Sequence, residues 1–210
     1  SISSPRTFFC FLFIKGKLIK VYLDDLFKVK ENTQLELEVK FGTRGIKPIG
    51  QIDYGNVIKR LLSQGFLPTG NNKYLLRIQN EYTDLNTGVV RQSNLRTEIE
   101  GIHNIQQYCK TNRLDSISSG GLGFVQKEVY KRNQQAVYPV NVDDFNFRLS
   151  LSSENTLTSS TNMVKDTIEK WNDTKKTFRY LNRYSMKHPE MPFVVDLSII
   201  KESKKKGNNY

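Results

Sequence analysis

The sequence predicts a strand-dominated α+β fold in which an antiparallel sheet or barrel keeps one polar face. Several segments alternate apolar and polar residues with a period of two, which is typical of strands with one buried face. Three other, short segments place apolar residues at helical spacing. The 210 residues are 37% hydrophobic and include 12 Phe and 10 Tyr, which is enough for one packed core and excludes wholesale disorder.

The first well-defined strand is Leu35–Phe41, with the sequence Leu-Glu-Leu-Glu-Val-Lys-Phe. Its four apolar side chains share one face, and its two glutamates and one lysine share the other. A helix is predicted over residues 54–64, because Asp53 offers an N-cap, apolar residues follow at helical spacing, and Gly65 marks the end.

Residues 73–100 form a predicted hairpin. Lys73–Tyr82 and Val89–Glu100 both alternate, and the Asp84–Gly88 cluster between them has the Asp, Asn and Gly residues of a turn. A short helix is expected directly afterwards, at Ile102–Asn112.

The second half of the chain also consists of strands and one helix, and it follows a Ser- and Gly-rich connection over residues 116–121. Its predicted elements are strands at Phe124–Arg132 and Phe145–Ser152, a helix at Met163–Trp171, and strands at Thr177–Lys187 and Phe193–Lys201.

The formal net charge of +11 is concentrated at the two ends of the chain. Residues 1–20 contribute +4 and residues 175–210 contribute +6, which leaves +1 for the residues between them. The excess favours an anionic partner, and the informative bases are those that lie inside predicted strands rather than in solvated loops.

Composition also argues against three classes of protein. The two cysteines, Cys10 and Cys109, cannot build a disulfide framework and favour a reducing compartment. The two histidines, His103 and His188, lie far apart without metal-ligand spacing, so a Cys/His zinc site is not expected. No apolar run approaches the roughly 20 residues of a membrane-spanning helix, and no membrane partner is expected.

The polar faces of the predicted strands carry the functional signal. Glu36 and Glu38 lie two residues apart on one strand, so both point the same way, about 7 Å apart along the chain. Such a pair can hold a hard divalent cation through oxygen ligands. Alone the pair is a weak signal, since Glu-x-Glu is common on solvent-facing strands.

Later strands add basic residues to the same kind of face. Arg148 shares a face with two serines and is followed by Glu154, Arg179 shares a face with Arg183, and Asp196 lies on the last predicted strand. Guanidinium groups beside carboxylates suit a metal-bound polyphosphate, because arginine neutralises phosphate oxygens while acids hold the metal.

Four of these segments resemble, in order, motifs of the metal-dependent RNA 5′-triphosphatases of the triphosphate tunnel metalloenzyme superfamily. The likeness is greatest to the triphosphatase domains of mRNA capping enzymes from large DNA viruses. The segments are Leu-Glu-Leu-Glu-Val-Lys-Phe at 35–41, Arg148-x-Ser150-x-x-x-Glu154, Phe178-Arg179-x-x-Asn182-Arg183-x-Ser185 and Val195-Asp196-Leu197-Ser198-Ile199-Ile200-Lys201.

The resemblance implies an antiparallel β-barrel that forms a tunnel, with a few short helices, and an enzyme that uses Mg²⁺ or Mn²⁺. Such an enzyme is a polynucleotide 5′-phosphatase that hydrolyses the γ-phosphate of triphosphate-ended RNA to leave a diphosphate end, the first step of cap formation. The implied partners are 5′-triphosphate RNA and a guanylyltransferase domain in the same full-length chain. The implied locations are the host cytoplasm or the virion.

The resemblance also implies roles for single residues. Glu36 and Glu38 would be metal ligands, and Asp196 and Glu154 would hold basic side chains or position the attacking water. The residues implied to bind the triphosphate are Arg148, Arg179, Arg183 and Lys201.

The resemblance divides the chain into an N-terminal extension, residues 1–32, and a triphosphatase domain, residues 33–210. Two departures from the family pattern accompany it. Leu181 stands between the two arginines of its strand, where these domains commonly carry a base. The last metal-binding Glu-x-Glu strand is expected beyond Tyr210, so the fragment on its own is expected to lack part of its metal site.

Two other functions stay open on the residues alone. The same fold serves hydrolases of inorganic triphosphate or nucleoside triphosphates, and adenylyl transfer. A non-enzymatic RNA-binding module is the other alternative, in which the aromatic and basic strand Phe178–Tyr184 would stack bases and contact phosphates.

Overall fold

The structure, a computed structural model, describes residues 35–41, 50–132, 134–142, 147–191 and 194–203. The predicted N-terminal extension, residues 1–32, lies outside them. The chain divides into two compact units. The first holds the described residues of 1–48 and 127–155, and the second holds those of 49–126 and 156–210.

Strands dominate the described residues, which confirms the predicted α+β class. They are β1 Leu35–Phe41, β2 Leu67–Pro68, β3 Lys73–Thr83, β4 Val90–Glu100, β5 Leu122–Val129, β6 Lys131–Arg132, β7 Gln135–Ala136, β8 Val140–Val142, β9 Phe147–Leu157, β10 Lys176–Lys187 and β11 Val194–Glu202. The helices are α1 Gln51–Ser63, α2 Ile102–Thr111 and α3 Asn162–Glu169, with a 3₁₀ turn at Leu114–Ser116.

Helix α1 begins three residues earlier than the sequence predicts. Asp53 is not the N-cap residue, because the helix is already formed at Gln51 and Gly50 occupies the cap position. The Asp53 carboxylate instead accepts a hydrogen bond of 2.9 Å from the backbone N–H of Gly50. An acidic residue in the first turn satisfies such a donor and suits the positive end of the helix dipole.

The end of α1 lies where the sequence places it. Gly65 has a φ of +86°, a left-handed conformation that glycine adopts without a steric cost. The backbone N–H of Gly65 donates to the carbonyl of Leu62, which closes the last turn.

The second unit is an antiparallel sheet in the order β5-β4-β3-β10-β11, with β2 pairing with the end of β10. Its core lies on one sheet face, against which α2, α3 and the 3₁₀ turn contribute side chains. The buried residues of this core are Leu76, Ile78, Leu95, Ile99, Ile105, Tyr108, Leu114, Phe124, Val164 and Trp171. All strand members of this list obey the period of two, so Arg77, Arg96 and Glu98 lie on the opposite face, where Leu75 is also buried.

The first unit is built on β1 and β9, which pair antiparallel over all seven residues of β1. Strand β8 also pairs with β9, and β6 pairs with β7. Its smaller core consists of Leu149 and Leu151 of β9, against which Leu37, Tyr130 and Val137 pack. The alternation of β1 therefore works as the sequence predicts, with Leu37 inward and the glutamates on the other face.

Two strands of the second half differ from their predicted bounds by more than one residue. The predicted strand 124–132 is divided at Tyr130 into β5 and β6. The strand predicted at 145–152 continues to Leu157, and residues 143–146 lie outside the described residues. Residues 152–156 have no apolar alternation, so the sequence does not reveal this extension. The strand can continue there because strands pair through backbone groups, which these residues also have. Glu154 is consequently part of β9.

Candidate functional site

Three of the predicted acidic site residues come together in the first unit. Glu36 and Glu38 of β1 lie opposite Ser152 and Ser150 of β9. Directly opposed residues of an antiparallel pair share a sheet face, and Glu154 follows Ser152 by two residues on that face. We call Glu36, Glu38 and Glu154 the carboxylate cluster.

The side chain of Lys127 joins the members of the carboxylate cluster. Its Nζ lies 2.8 Å from Glu36 Oε2, 2.8 Å from Glu154 Oε1 and 3.8 Å from Glu38 Oε2. Burial alone would lower the pKa of Lys127, but hydrogen bonds to Glu154 and Glu36, with the charges of both, outweigh it and raise the pKa above its ordinary value. Lys127 is therefore positively charged and lies among three carboxylates.

Two further basic residues lie on the same face of β1 and β9. Lys40 Nζ contacts Glu38 Oε2 at 2.8 Å, and Lys40 lies directly opposite Arg148. Arg148 is exposed. The structure thus places the predicted phosphate-binding Arg148 on the face that carries the carboxylate cluster.

The chemistry of the carboxylate cluster fits a hard divalent cation. Carboxylate oxygens from two strands converge on one cationic atom, the Nζ of Lys127, which stands in for an ion. Beside them Ser152 is buried, and its hydroxyl has no hydrogen-bond partner among the described residues. A buried polar atom of this kind is costly unless a group beyond the described residues satisfies it.

With Lys127 in place, the carboxylates are too widely spaced to share a metal ion. Across the described ranges, no three Asp, Glu, His or Cys side chains are arranged so that they could hold one. The oxygens surround the ammonium at 2.8–3.8 Å, whereas Mg²⁺ holds oxygen ligands at about 2.0–2.1 Å. The carboxylate oxygens are therefore the kind of donor that Mg²⁺ prefers, but their present spacing suits an ammonium group.

A row of charges crosses the polar face of the second unit. Glu98 of β4 lies opposite Arg77 of β3, Arg77 lies opposite Arg179 of β10, and Arg179 lies opposite Glu202 of β11. Arg179 forms an ion pair with Glu202. In this row the two acids occupy the outer positions, and the two arginines lie between them. Arg179, predicted as a phosphate ligand, thus has a second guanidinium directly beside it.

Glu98 also anchors a neighbouring arginine. Its Oε1 lies 2.8 Å from Arg77 Nε and 2.7 Å from Arg96 Nε. The side chains of Arg96, Arg77 and Glu98 are 11%, 18% and 20% exposed, so these two ion pairs are largely shielded from water. The alternating sequence places Arg96 and Glu98 on one strand face, and the predicted hairpin brings that strand beside the strand that carries Arg77.

Arg183, the other predicted phosphate-binding arginine of β10, forms an ion pair with Asp196, which is also a predicted site residue. Arg183 Nη1 lies 2.9 Å from Asp196 Oδ2, and Ser185 Oγ donates to Asp196 Oδ1 at 2.6 Å. Arg183 Nε also donates to Ser198 Oγ at 3.4 Å. Asp196 therefore holds a basic side chain, as the family resemblance implies for it.

Lys201 is not brought together with these residues. Its partner across β10 and β11 is Tyr180, whereas Arg179 and Leu181 face Glu202 and Ile200. Lys201 consequently lies on the face opposite to Arg179, Arg183 and Asp196. Its role in phosphate binding stays a prediction.

Leu181, the departure from the family pattern, is buried. It is 2% exposed and lies opposite Leu75 of β3, which is also buried. A lysine at this position would have to bury its charged group, so the leucine is consistent with its surroundings.

Two of the three aromatic side chains of β10 are used in packing. Phe178 and Tyr180 pack against the hydrophobic core, and Tyr180 stacks on Tyr74 with ring centroids 6.4 Å apart. These two rings lie on the face opposite to Arg179 and Arg183. The strand does not present them beside the arginines, as the base-stacking alternative requires.

Lys127 is the residue that sequence reasoning missed. It lies in a strand that the alternation predicts, but a single lysine on a strand has no distinguishing pattern. Its position relative to Glu36 and Glu154 depends on the pairing of three distant segments, which sequence spacing does not contain.

Three solved structures of the mimivirus mRNA capping enzyme triphosphatase resemble this chain. One, the RNA triphosphatase domain of that trifunctional enzyme, has a TM-score of 0.57 and 17% identity over 88% of this chain and 77% of that one. A triclinic form has a TM-score of 0.56 and 16% identity over 88% and 78%. A monoclinic form has a TM-score of 0.50 and 18% identity over 81% and 72%.

This likeness confirms the predicted fold class: the chain has the fold of a viral RNA triphosphatase domain. No protein-family profile and no curated protein sequence matches the chain. None of the helices in the described ranges combines the length and the apolar composition that crossing a bilayer requires.

Proposed function

We propose that this protein is a metal-dependent RNA 5′-triphosphatase that hydrolyses the γ-phosphate of triphosphate-ended RNA to leave a diphosphate end. The observation that carries the proposal is the convergence of Glu36, Glu38 and Glu154 on one cationic position. The fold of a capping-enzyme triphosphatase domain supports it.

The carboxylate cluster would hold Mg²⁺ or Mn²⁺. When bound, such an ion would neutralise phosphate oxygens and lower the pKa of a bound water. Glu36 and Glu38 project from one rigid strand, so their spacing is set by the backbone of β1 rather than by a loop. Glu154 adds a third oxygen donor from a second strand.

The arginines would bind the triphosphate. Phosphoryl transfer depends chiefly on positioning and on neutralising charge, and guanidinium forks suit both tasks. Arg183 is held by Asp196, and Arg179 by Glu202, so neither arginine has to be ordered when substrate arrives. Arg148 lies exposed on the face that carries the carboxylate cluster, so it would be accessible to a phosphate group.

The proposed partners follow from the same reaction. The substrate is 5′-triphosphate RNA, and the diphosphate end that remains is the acceptor for guanylyl transfer. We propose that a guanylyltransferase domain belongs to the same full-length, virus-encoded chain, as the trifunctional mimivirus enzyme suggests.

The test is phosphate release by the full-length protein from three substrates: triphosphate-ended RNA, ATP and inorganic tripolyphosphate. We expect release from RNA with Mg²⁺ or Mn²⁺ and a loss of at least about 100-fold in Glu36→Gln and Glu38→Gln. Glu169→Gln, the same substitution at an exposed site on α3, should keep full activity. Preference for ATP or tripolyphosphate would contradict the RNA assignment, and equal activity in all variants would contradict the site.

A further inference from the structure

Lys127 contacts every carboxylate that the proposed function assigns to the metal. Its Nζ is within hydrogen-bond distance of Glu36 and Glu154 and within ion-pair distance of Glu38. An ammonium group resembles a metal ion in charge sign and in its preference for oxygen partners.

We propose that Lys127 is a built-in competitor of the divalent cation. Its ammonium group partly neutralises the carboxylate cluster in the metal-free protein and leaves the cluster when a divalent cation binds. This inference rests on the proposed function, because it takes the carboxylate cluster as the metal site.

Charge and distance both indicate displacement rather than coexistence. Three carboxylates with Lys127 and Lys40 have a formal charge of −1, so a divalent cation added to this arrangement would leave an excess of positive charge. The carboxylate oxygens would also have to approach more closely than the 2.8–3.8 Å that they keep from the ammonium. Two cations among the same oxygens would repel each other at a few ångströms.

The lysine side chain is able to leave. It is 33% exposed, and its four-carbon stem reaches many positions at little cost. A monovalent ion that replaced the ammonium would bring no additional charge to the carboxylates, whereas a divalent ion brings twice the charge. Lys127 therefore selects against monovalent ions while it keeps three glutamates from repelling one another in the absence of metal.

The experiment is titration of the full-length protein with Mn²⁺ alone, with free Mn²⁺ followed by electron paramagnetic resonance. Lys127→Met removes the charge and keeps much of the chain length, and Lys127→Arg keeps the charge. Lys131→Met, an exposed lysine of the same unit, controls for the loss of one positive charge. Glu36→Gln identifies the binding site.

We expect Lys127→Met to bind Mn²⁺ on the order of 10-fold more tightly than the wild type, because one nearby repelling charge is gone. Lys127→Arg should bind no more tightly than the wild type, and Lys131→Met should lie within about twofold of it. Without metal, Lys127→Met should melt at a lower temperature than the wild type and recover when Mn²⁺ is added.

One outcome is that the wild type binds Mn²⁺, that Glu36→Gln abolishes this binding, and that Lys127→Met binds Mn²⁺ equally or more weakly than the wild type. That result would overturn the role of Lys127 and leave the proposed metal site intact. If neither the wild type nor Lys127→Met binds Mn²⁺, the proposed metal site fails and the inference fails with it. Binding by Lys127→Met without binding by the wild type would support competition most strongly.

Discussion

Arg183 and Asp196 form an ion pair across β10 and β11, with Nη1 and Oδ2 2.9 Å apart. Asp196 is itself held by Ser185, whose hydroxyl donates to the other carboxylate oxygen. The guanidinium is therefore positioned before any substrate binds, at a side-chain exposure of 23% that leaves part of it accessible. Pre-positioned charge of this kind is what phosphoryl transfer requires of a protein.

Asp196→Asn should lower kcat on triphosphate-ended RNA by about 10-fold, because Arg183 loses its charged partner while the fold is kept. Arg183→Lys should cost at least as much, since lysine lacks the fork that reaches both Asp196 and phosphate. The double variant should be about as active as Arg183→Lys alone, because both changes remove one interaction. Losses that multiply in the double variant, measured by steady-state kinetics, would argue against positioning through Asp196.

The strand register separates Arg179 from Lys201, although both come from motifs of the resemblance. Arg179→Ala should reduce kcat/KM by about 100-fold, and Lys201→Ala by less than about threefold, because their side chains lie on opposite sheet faces. Both variants should keep the melting temperature of the wild type to within a few degrees. A larger loss in Lys201→Ala than in Arg179→Ala would contradict this register.

Glu98 should matter for stability as well as for the charge of the site. Glu98→Ala removes the carboxylate from two largely shielded guanidinium groups and should lower the free energy of unfolding by about 2–3 kcal/mol. Asp115→Ala removes the carboxylate from an exposed pair with Arg113 and should cause no measurable change. Urea unfolding of the two variants side by side measures the difference.

A close approach between Gly121 and Asn104 gives a steric prediction. A Cβ at Gly121 would lie 2.0 Å from Asn104 Nδ2, and Asn104 bonds both Glu100 and Ser118. Gly121→Ala should therefore destabilise the protein by about 1–3 kcal/mol. Gly123→Ala, two residues on, meets nothing within 4 Å and should be neutral within about 0.5 kcal/mol.

Thermal unfolding of the two glycine variants tests this pair of predictions. Partial recovery in Gly121→Ala combined with Asn104→Ala would identify the clash as the cause. Equal melting temperatures for Gly121→Ala and Gly123→Ala would show that Asn104 moves aside freely.

The sequence predicts the elements well where side chains decide them. Strand β1 has its predicted bounds because its alternation separates Leu37, which packs inward, from the glutamates. The prediction was wrong at Asp53, because an acidic residue can serve the helix end from the cap or from the first turn, and the sequence does not separate the two.

Contacts between distant strands could not be predicted. The meeting of Lys127 with Glu36 and Glu154 depends on which strands pair and in which register. Motif spacing within one strand identifies the face on which a residue lies. It does not identify the partner that faces it from another segment, which is why the sequence indicates the face of Glu36 and Glu38 but not the lysine that meets them.

The most direct test is release of labelled γ-phosphate from triphosphate-ended RNA by the full-length protein, with Mn²⁺ and with a chelator. The proposed function predicts release of one phosphate per RNA end with Mn²⁺, loss of release with the chelator, and loss of at least about 100-fold in Glu36→Gln. Release that persists in the chelator, or that Glu36→Gln leaves unchanged, would contradict a metal-dependent triphosphatase built on the carboxylate cluster.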